Sequence, residues 1–412
     1  MERLLHYVWK NRLIPHSGLK TTTGESVEVL SPGLHNKDAG PDFFCADVVI
    51  GGEDWMGNVE IHTRSSDWYR HGHDKDKAYN NVVLHVVEQA DMEVTTESGR
   101  KLPQIVVSVP DYVVSNYEQL QAYDDYPPCH SYIAEMPPLV SRQWLKRLGE
   151  ERMERKAAEI EQRLKYCEHD WEHVFFITLA RAFGFGLNGD AFEQWARLIP
   201  YAGVAKHRDN SLQIAALFFG QAGFLDETAK FEERLAVALP DFDLKALRSE
   251  YKFLANKFSL VPMGGHEWRF LRTRPHNFPT MRMSQIVRLC CEGKTNLSCA
   301  LEATTLDEMR HLFDSIEMPQ ASVDLLILNG VIPMLYAYGH YRGNRKMQDK
   351  ALQWLAQLPP EDNKHTRPFS QMGLMNNAAD SQAVLQLVTR YCQRHDCLRC
   401  QFGYQYIKKR KN

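Results

Sequence analysis

Two proline pairs, Pro127-Pro128 and Pro137-Pro138, separate parts of this sequence that follow different periodicities. Proline restricts its own backbone and that of the residue before it, so paired prolines interrupt helices and strands alike. Upstream, apolar residues alternate or form short blocks between Gly, Pro, Ser and Asp clusters, as strands and turns require. Downstream, apolar residues recur at helical spacing almost to the C-terminus. The expectation is an α+β domain over residues 1–126, followed by an all-α domain over residues 139–412. With 412 residues, 44% of them hydrophobic, each part can bury a core without disulfide staples.

In the first part, Leu4, Leu5, Val8 and Trp9 share one face of a predicted helix over residues 1–14. Val27–Leu30 reads as a strand. Phe43–Ile50 and Trp55–His62 read as a hairpin around Gly51-Gly52. Asp76–Asn81 reads as helical. Val82–Val87 is apolar enough to be buried on both faces. Val94–Thr96 and Ile105–Val109 complete a small sheet. In the second part, helices are predicted from Trp144–Cys167 through Ser381–Arg394, broken by an irregular segment at Trp268–Pro279.

Charge and cysteine usage narrow the function classes. The net charge of −3 exerts no global pull on nucleic acid, although a local basic face is compatible with it. No run of about 18 apolar residues is present, so no membrane span is expected. The N-terminus lacks the apolar core and cleavage site of a signal peptide. Nine scattered cysteines fit reduced thiols and a cytoplasmic location better than a disulfide framework.

Chemistry concentrates between Gly33 and Val87. In Gly57-Asn58-Val59-Glu60-Ile61-His62, strand alternation puts Val59 and Ile61 on one face and Glu60 with His62 on the other. Asp42, following Gly40-Pro41, starts the partner strand of the hairpin and can approach Glu60. Two carboxylates so placed suit a hard divalent cation such as Mg²⁺ or Mn²⁺, which can activate water and stabilise a phosphodiester transition state. His35 and Asp38 lie in the loop before Asp42, where they either position a phosphate or make turn hydrogen bonds.

Pro41-Asp42 followed by Glu60-Ile61-His62 resembles the Pro-Asp…(Asp/Glu)-x-Lys signature of the restriction-endonuclease-like nuclease superfamily. The predicted order of helix, strand, acidic hairpin, helix and strand resembles that fold core as well. The resemblance implies that Asp42 and Glu60 hold the metal, with His62 at the position of the water-orienting lysine. His62 departs from the signature because imidazole has no permanent charge. A broader resemblance, carried by Ala39–Phe43, Gly57–His62, Ser66–Trp68, His71–His73, Arg274–Pro279 and Cys397–Cys400, covers nearly the whole chain. It is to a family of uncharacterised bacterial proteins described only as a domain of unknown function.

The histidines support a rival reading. His62, His71, His73 and His85, with Asp67, Asp74 and Asp76, can build a zinc site. The Asp-His pair that follows His-x-His in metallo-hydrolases is absent, since Lys75-Asp76 stands there. Gly-x-Ser-x-Gly and phosphate-loop motifs are absent too, which argues against triad hydrolases and nucleoside triphosphatases. Cys392, Cys397 and Cys400 have the spacing of a structural Zn²⁺ or iron–sulfur site. A fourth ligand is needed, from His395 or from Cys290, Cys291 or Cys299. Arg272, Arg274 and His276, among aromatics, suit contact with a nucleic-acid backbone, or the arginines pair with acidic helices. The leading expectation is a metal-dependent nuclease using Asp42, Glu60 and His62, with His35, Arg272, Arg274 and His276 binding substrate. The alternatives are a non-catalytic scaffold for nucleic acid or protein on a degenerate nuclease fold, and a histidine-ligated zinc hydrolase.

Overall fold

The computed structural model describes residues 2–15, 17–123, 129–227, 231–271 and 273–409. They divide into two compact units: residues 1–141 with 389–412, and residues 142–388.

The first unit opens with helix α1 (Glu2–Lys10), whose apolar face Leu4, Leu5, Val8 and Trp9 is buried. The Trp9 indole N–H donates to Pro32 O at 3.0 Å, which ties the helix to the chain entering the sheet. The strands are β1 (Leu19–Lys20), β2 (Ser26–Ser31), β3 (Leu34–His35), β4 (Phe43–Ile50), β5 (Glu53–Arg64), β6 (Val82–Gln89) and β7 (Gln104–Val106). They lie in the order β1-β2-β4-β5-β6-β7, with β3 beside β4. The β2–β4 and β4–β5 pairs are antiparallel, whereas β5–β6 and β6–β7 are parallel. This mixed sheet ahead of a mostly helical remainder agrees with the fold class expected from the sequence.

Gly51 and Gly52 close the β4–β5 hairpin at φ of 59° and 91°, the positive values a two-residue turn needs to follow strand twist. Parallel strands need a crossover. Here helix α2 (Asp67–Arg70) and two 3-10 turns, His73–Lys75 and Lys77–Tyr79, carry the chain from β5 to β6. The helix expected over Asp76–Asn81 is therefore a tighter turn, started by the Asp76 carboxylate accepting from Ala78 N. Val82–Val87 is buried throughout, as its composition predicts. Val94–Thr96 forms a single bridge, Thr95 to Lys101, rather than a strand. Ser66 makes no side-chain cap, because its hydroxyl bonds Asp91 instead.

At Gly57, β5 passes close to the start of β6. A Cβ there would meet Val83 Cγ1 at 2.4 Å and Asn81 O at 2.7 Å. Gly57→Ala is expected to destabilise this unit by about 1–3 kcal/mol, the usual cost of overpacking. A lower thermal midpoint would show it, and an unchanged midpoint would contradict the packing argument.

The tail departs from the domain boundaries expected from sequence. Residues 389–412 belong to the first unit, not to the helical one. The helix Gln401–Ile407 buries Phe402 and Ile407 and packs against helices α3 (Asp111–Gln121) and α4 (Cys129–Ile133). Asn116 of α3 donates to Tyr406 O, Ile407 O and Lys409 O at 3.3, 3.1 and 2.8 Å. These bonds satisfy carbonyls that a helix C-terminus leaves without partners. Helical periodicity alone could not distinguish this docking from continuation of the preceding bundle.

The second unit is helical around an aromatic-rich core that includes Phe176, Trp195, Phe218, Phe224 and Trp268. Buried indoles find acceptors: Trp195 donates to Phe218 O at 3.0 Å and Trp268 to Ala222 O at 2.8 Å. One continuous helical run, Gln320–Tyr341, is long and apolar enough to cross a membrane by composition, which the expectation of no span did not anticipate. Two thirds of its most apolar window is buried within the protein, as befits a core helix.

Candidate functional site

The site forms where the β4–β5 ladder ends. Phe43 pairs with Val59, so antiparallel register sets Asp42 opposite Glu60. Both carboxylates accept across the strand pair: Asp42 N donates to Glu60 Oε2 and Ile61 N donates to Asp42 Oδ2, both at 3.0 Å. Each carboxylate thereby takes a backbone N–H at the point where strand pairing stops. Cys45, at φ 53°, takes up the irregular register between Phe43 and Ala46. It acts as a bulge that re-aims the strand beside the site.

Imidazoles surround the free oxygen of Glu60. His73 Nε2 lies 3.2 Å and His62 Nε2 3.5 Å from Glu60 Oε1. His71 Nδ1 lies 3.2 Å from His62 Nε2. One ligand atom from each of His62, His71 and His73 falls within 4.8 Å of the other two. The other nitrogen of His62, Nδ1, is 2.9 Å from His85 Nε2 on β6. Trp68 and Tyr79 wall the cluster, with the Tyr79 ring stacked on His73 at 3.8 Å. His6 of α1 brings its Nε2 to 3.3 Å from Asp42 Oδ2.

Burial sets the electrostatics. Glu60 is 4% exposed, His62 2% and His85 0%. Burial raises the Glu60 carboxyl, the His73 hydrogen bond opposes that shift, and the Asp42 charge adds to it. Burial pushes His62 down to about 2, aided by His85, His73 and His71. Burial likewise pushes His85 down to about 3. Both rings are thus neutral at pH 7, the state in which imidazole binds a metal. His6 is raised: burial lowers it, but the Asp42 hydrogen bond and charge outweigh burial. If His62 Nδ1–H donates to His85, its Nε2 lone pair faces Glu60, His71 and His73. A metal-binding histidine is oriented in this way through its second nitrogen.

Asp42, Glu60 and His62 thus come together, with His71 and His73 beside them. His35 lies along the same margin, its ring 5.1 Å from Phe43 and 5.9 Å from His6. Burial, followed by the Lys10 charge, lowers its pKa. Asn36 serves the turn, donating to Asp38 O, Ala39 O and Pro41 O. Asp67 is buried in a pair with Arg70 at 2.8 Å.

Arg272 lies outside the described residues. Arg274 and His276 are exposed on a 3-10 turn of the second unit. Their neighbour Arg282 is buried over the Phe185 ring at 4.6 Å and bonds Gln285 and Asn277. Cys392, Cys397 and Cys400 lie in the first unit, whereas Cys290, Cys291 and Cys299 lie in the second. Sequence reasoning missed His6 because helical spacing reveals which residues share a helix face, not which strand end that face meets.

A family model for proteins of unknown function, DUF2851, matches residues 2–320 and 314–364. No curated protein and no solved structure matches the chain. With the family match extending over most of its length, the chain belongs to the DUF2851 family.

Proposed function

We propose that the first unit is a metal-dependent phosphodiester hydrolase acting on nucleic acid, with its cation held by Glu60, His62, His71 and His73 and with Asp42 adjacent. The observation that carries this reading is the trio His62, His71 and His73, whose ligand atoms lie within 4.8 Å of one another, with the Glu60 carboxylate beside two of them. Glu60 lies 3.2 Å from His73 and 3.5 Å from His62. Isolated buried carboxylates and imidazoles are costly, and a divalent cation would satisfy several at once. Such a donor set suits Zn²⁺, Mn²⁺ or Fe²⁺ better than Mg²⁺, which prefers oxygen ligands. The nitrogen-rich set therefore shifts the expected cation from Mg²⁺ toward transition metals.

The bound cation would lower the pKa of a water and polarise a phosphoryl oxygen. The chain's own residues supply the rest. His85 holds His62 through Nδ1 and keeps its ring oriented. Asp42, with one oxygen shared between Ile61 N and His6, is placed to accept a proton from the attacking water. The Pro41-Asp42…Glu60-Ile61-His62 pattern, set on a mixed sheet with a parallel crossover after the acidic strand, supports a phosphodiester substrate. A second reading, a zinc hydrolase acting on another ester, is favoured by the imidazole trio itself.

The test uses the full chain with labelled single- and double-stranded DNA and RNA, in Zn²⁺, Mn²⁺ or Mg²⁺. Cleavage should depend on the cation and fall at least about 100-fold in Glu60→Gln, the scale of a lost acid–base or ligand group. Cleavage that Glu60→Gln leaves unchanged would refute the assignment. Hydrolysis of an activated carboxylic ester without nucleic-acid cleavage would favour the second reading.

A further inference from the structure

Away from the histidine cluster, the first unit gathers four cysteines from two distant stretches of sequence. Cys129 begins α4. Cys392 and Cys397 each begin a 3-10 turn, and Cys400 is the N-cap of the helix Gln401–Ile407. That helix packs against α4, and the Cys397 turn packs against α3. Cys129, Cys397 and Cys400 are 5%, 5% and 6% exposed, and Cys392 is half-buried.

The backbone around them is closely held. Between the two turns His395 adopts φ 51°, a left-handed conformation uncommon for a non-glycine residue. Tyr123 Oη donates to Cys392 O at 2.5 Å, and Cys397 Sγ donates to Leu120 O at 3.7 Å. Gly403 passes so near the Cys397 turn that a Cβ would lie 2.3 Å from Cys397 O. The packing of the last helix on α4 and of the Cys397 turn on α3 thus draws the four cysteines into one region of the unit. No disulfide joins the described cysteines.

We propose that Cys129, Cys392, Cys397 and Cys400 form a four-thiolate centre that holds a zinc ion or an iron–sulfur cluster. The fourth ligand is then Cys129, which sequence spacing could not nominate, in place of His395 or the cysteines of the second unit. Four thiolates complete a tetrahedral zinc site and equally the ligand set of an iron–sulfur cluster. On binding, each thiol releases its proton to solvent and its sulfur takes up the metal. Cysteine also packs well as a small apolar residue. Apolar filling alone, however, requires neither four cysteines drawn from two distant stretches into one region nor the left-handed turn at His395 between Cys392 and Cys397. The centre would staple the returning tail to α4.

Zinc, iron and acid-labile sulfide are measured per chain in anaerobically purified full-length protein, its Cys129→Ser and Cys397→Ser variants, and Cys299→Ser as a control. The expected result is stoichiometric zinc, or iron with sulfide and visible charge-transfer absorption. Both site variants should lose it about tenfold or more, and the control should retain it. All of these proteins are also measured in the His71→Ala background, which weakens zinc binding at the imidazoles, and retention is judged there. Should the serine variants fail to fold, X-ray absorption of the His71→Ala chain decides: an all-sulfur shell supports the assignment, with Zn–S near about 2.3 Å for zinc. A mixed nitrogen–sulfur shell, retention of metal by folded Cys129→Ser, or absence of both metals from the purified protein would overturn it.

Discussion

His73→Ala is expected to weaken Zn²⁺ or Mn²⁺ binding at the first unit by at least about 100-fold, a loss beyond the 10–100-fold typical of residues that only support a ligand. His73 is the imidazole nearest the Glu60 carboxylate, at 3.2 Å. Its removal takes away one donor and leaves the Glu60 oxygen with a weaker neighbour, His62 at 3.5 Å. His71→Ala separates binding from folding more cleanly, because His71 is exposed and its loss opens no core cavity. It should lower affinity with little change in thermal midpoint. His85→Phe should act through His62, by about 10–100-fold, since it touches only the far nitrogen. Calorimetric titration of each variant checks the order. Equal affinity in wild type and His73→Ala would remove the basis for the centre, whatever the substrate.

Glu193→Gln is expected to destabilise the second unit by about 3 kcal/mol at pH 7, the lower end of the cost of breaking a buried ion pair. Glu193 receives Arg163 in a bidentate pair at 3.0 and 2.8 Å, Arg181 at 2.9 Å and Arg197 at 2.6 Å. Its side chain is 14% exposed and that of Arg163 9%. Burial alone would raise the Glu193 carboxyl, but Arg163, followed by Arg197 and Arg181, outweighs burial and holds it at about 2. The folded pKa is thus below the unfolded value of 4.5. The unfolded chain then binds the extra proton first, so stability falls as pH falls. The contribution is complete above about pH 4.5 and is lost between there and about pH 2. The same shift corresponds to about 3 kcal/mol, in agreement with the ion-pair argument. Denaturant midpoints of this unit in wild type and Glu193→Gln should differ most at neutral pH and converge toward pH 2. A constant difference across that range would show that the glutamate acts through packing rather than charge.

Much of the site was legible because it is built on local rules. Period-two alternation set Glu60 and His62 on one face, and the Gly51-Gly52 turn specified the hairpin that brings Asp42 opposite Glu60. The apolar run Val82–Val87 marked a strand covered on both sides. Each inference needs only backbone geometry and a few neighbouring residues. His71 and His73 were visible as candidate ligands, but their approach to Glu60 depends on how the crossover folds over the sheet. No periodicity encodes that fold.

By itself, then, the sequence determined the change from strand to helix at the proline pairs, the acidic hairpin and its histidine face. Tertiary structure alone decided that His6 meets Asp42, that His85 holds His62, and that residues 389–412 return to the first unit with Cys392, Cys397 and Cys400 near Cys129. The physical reason is the range of the interactions. Alternation and turn chemistry act over a few residues. Asn116 reaching Tyr406, or α4 packing on the last helix, is chosen by side-chain fit and carbonyl satisfaction between segments hundreds of positions apart.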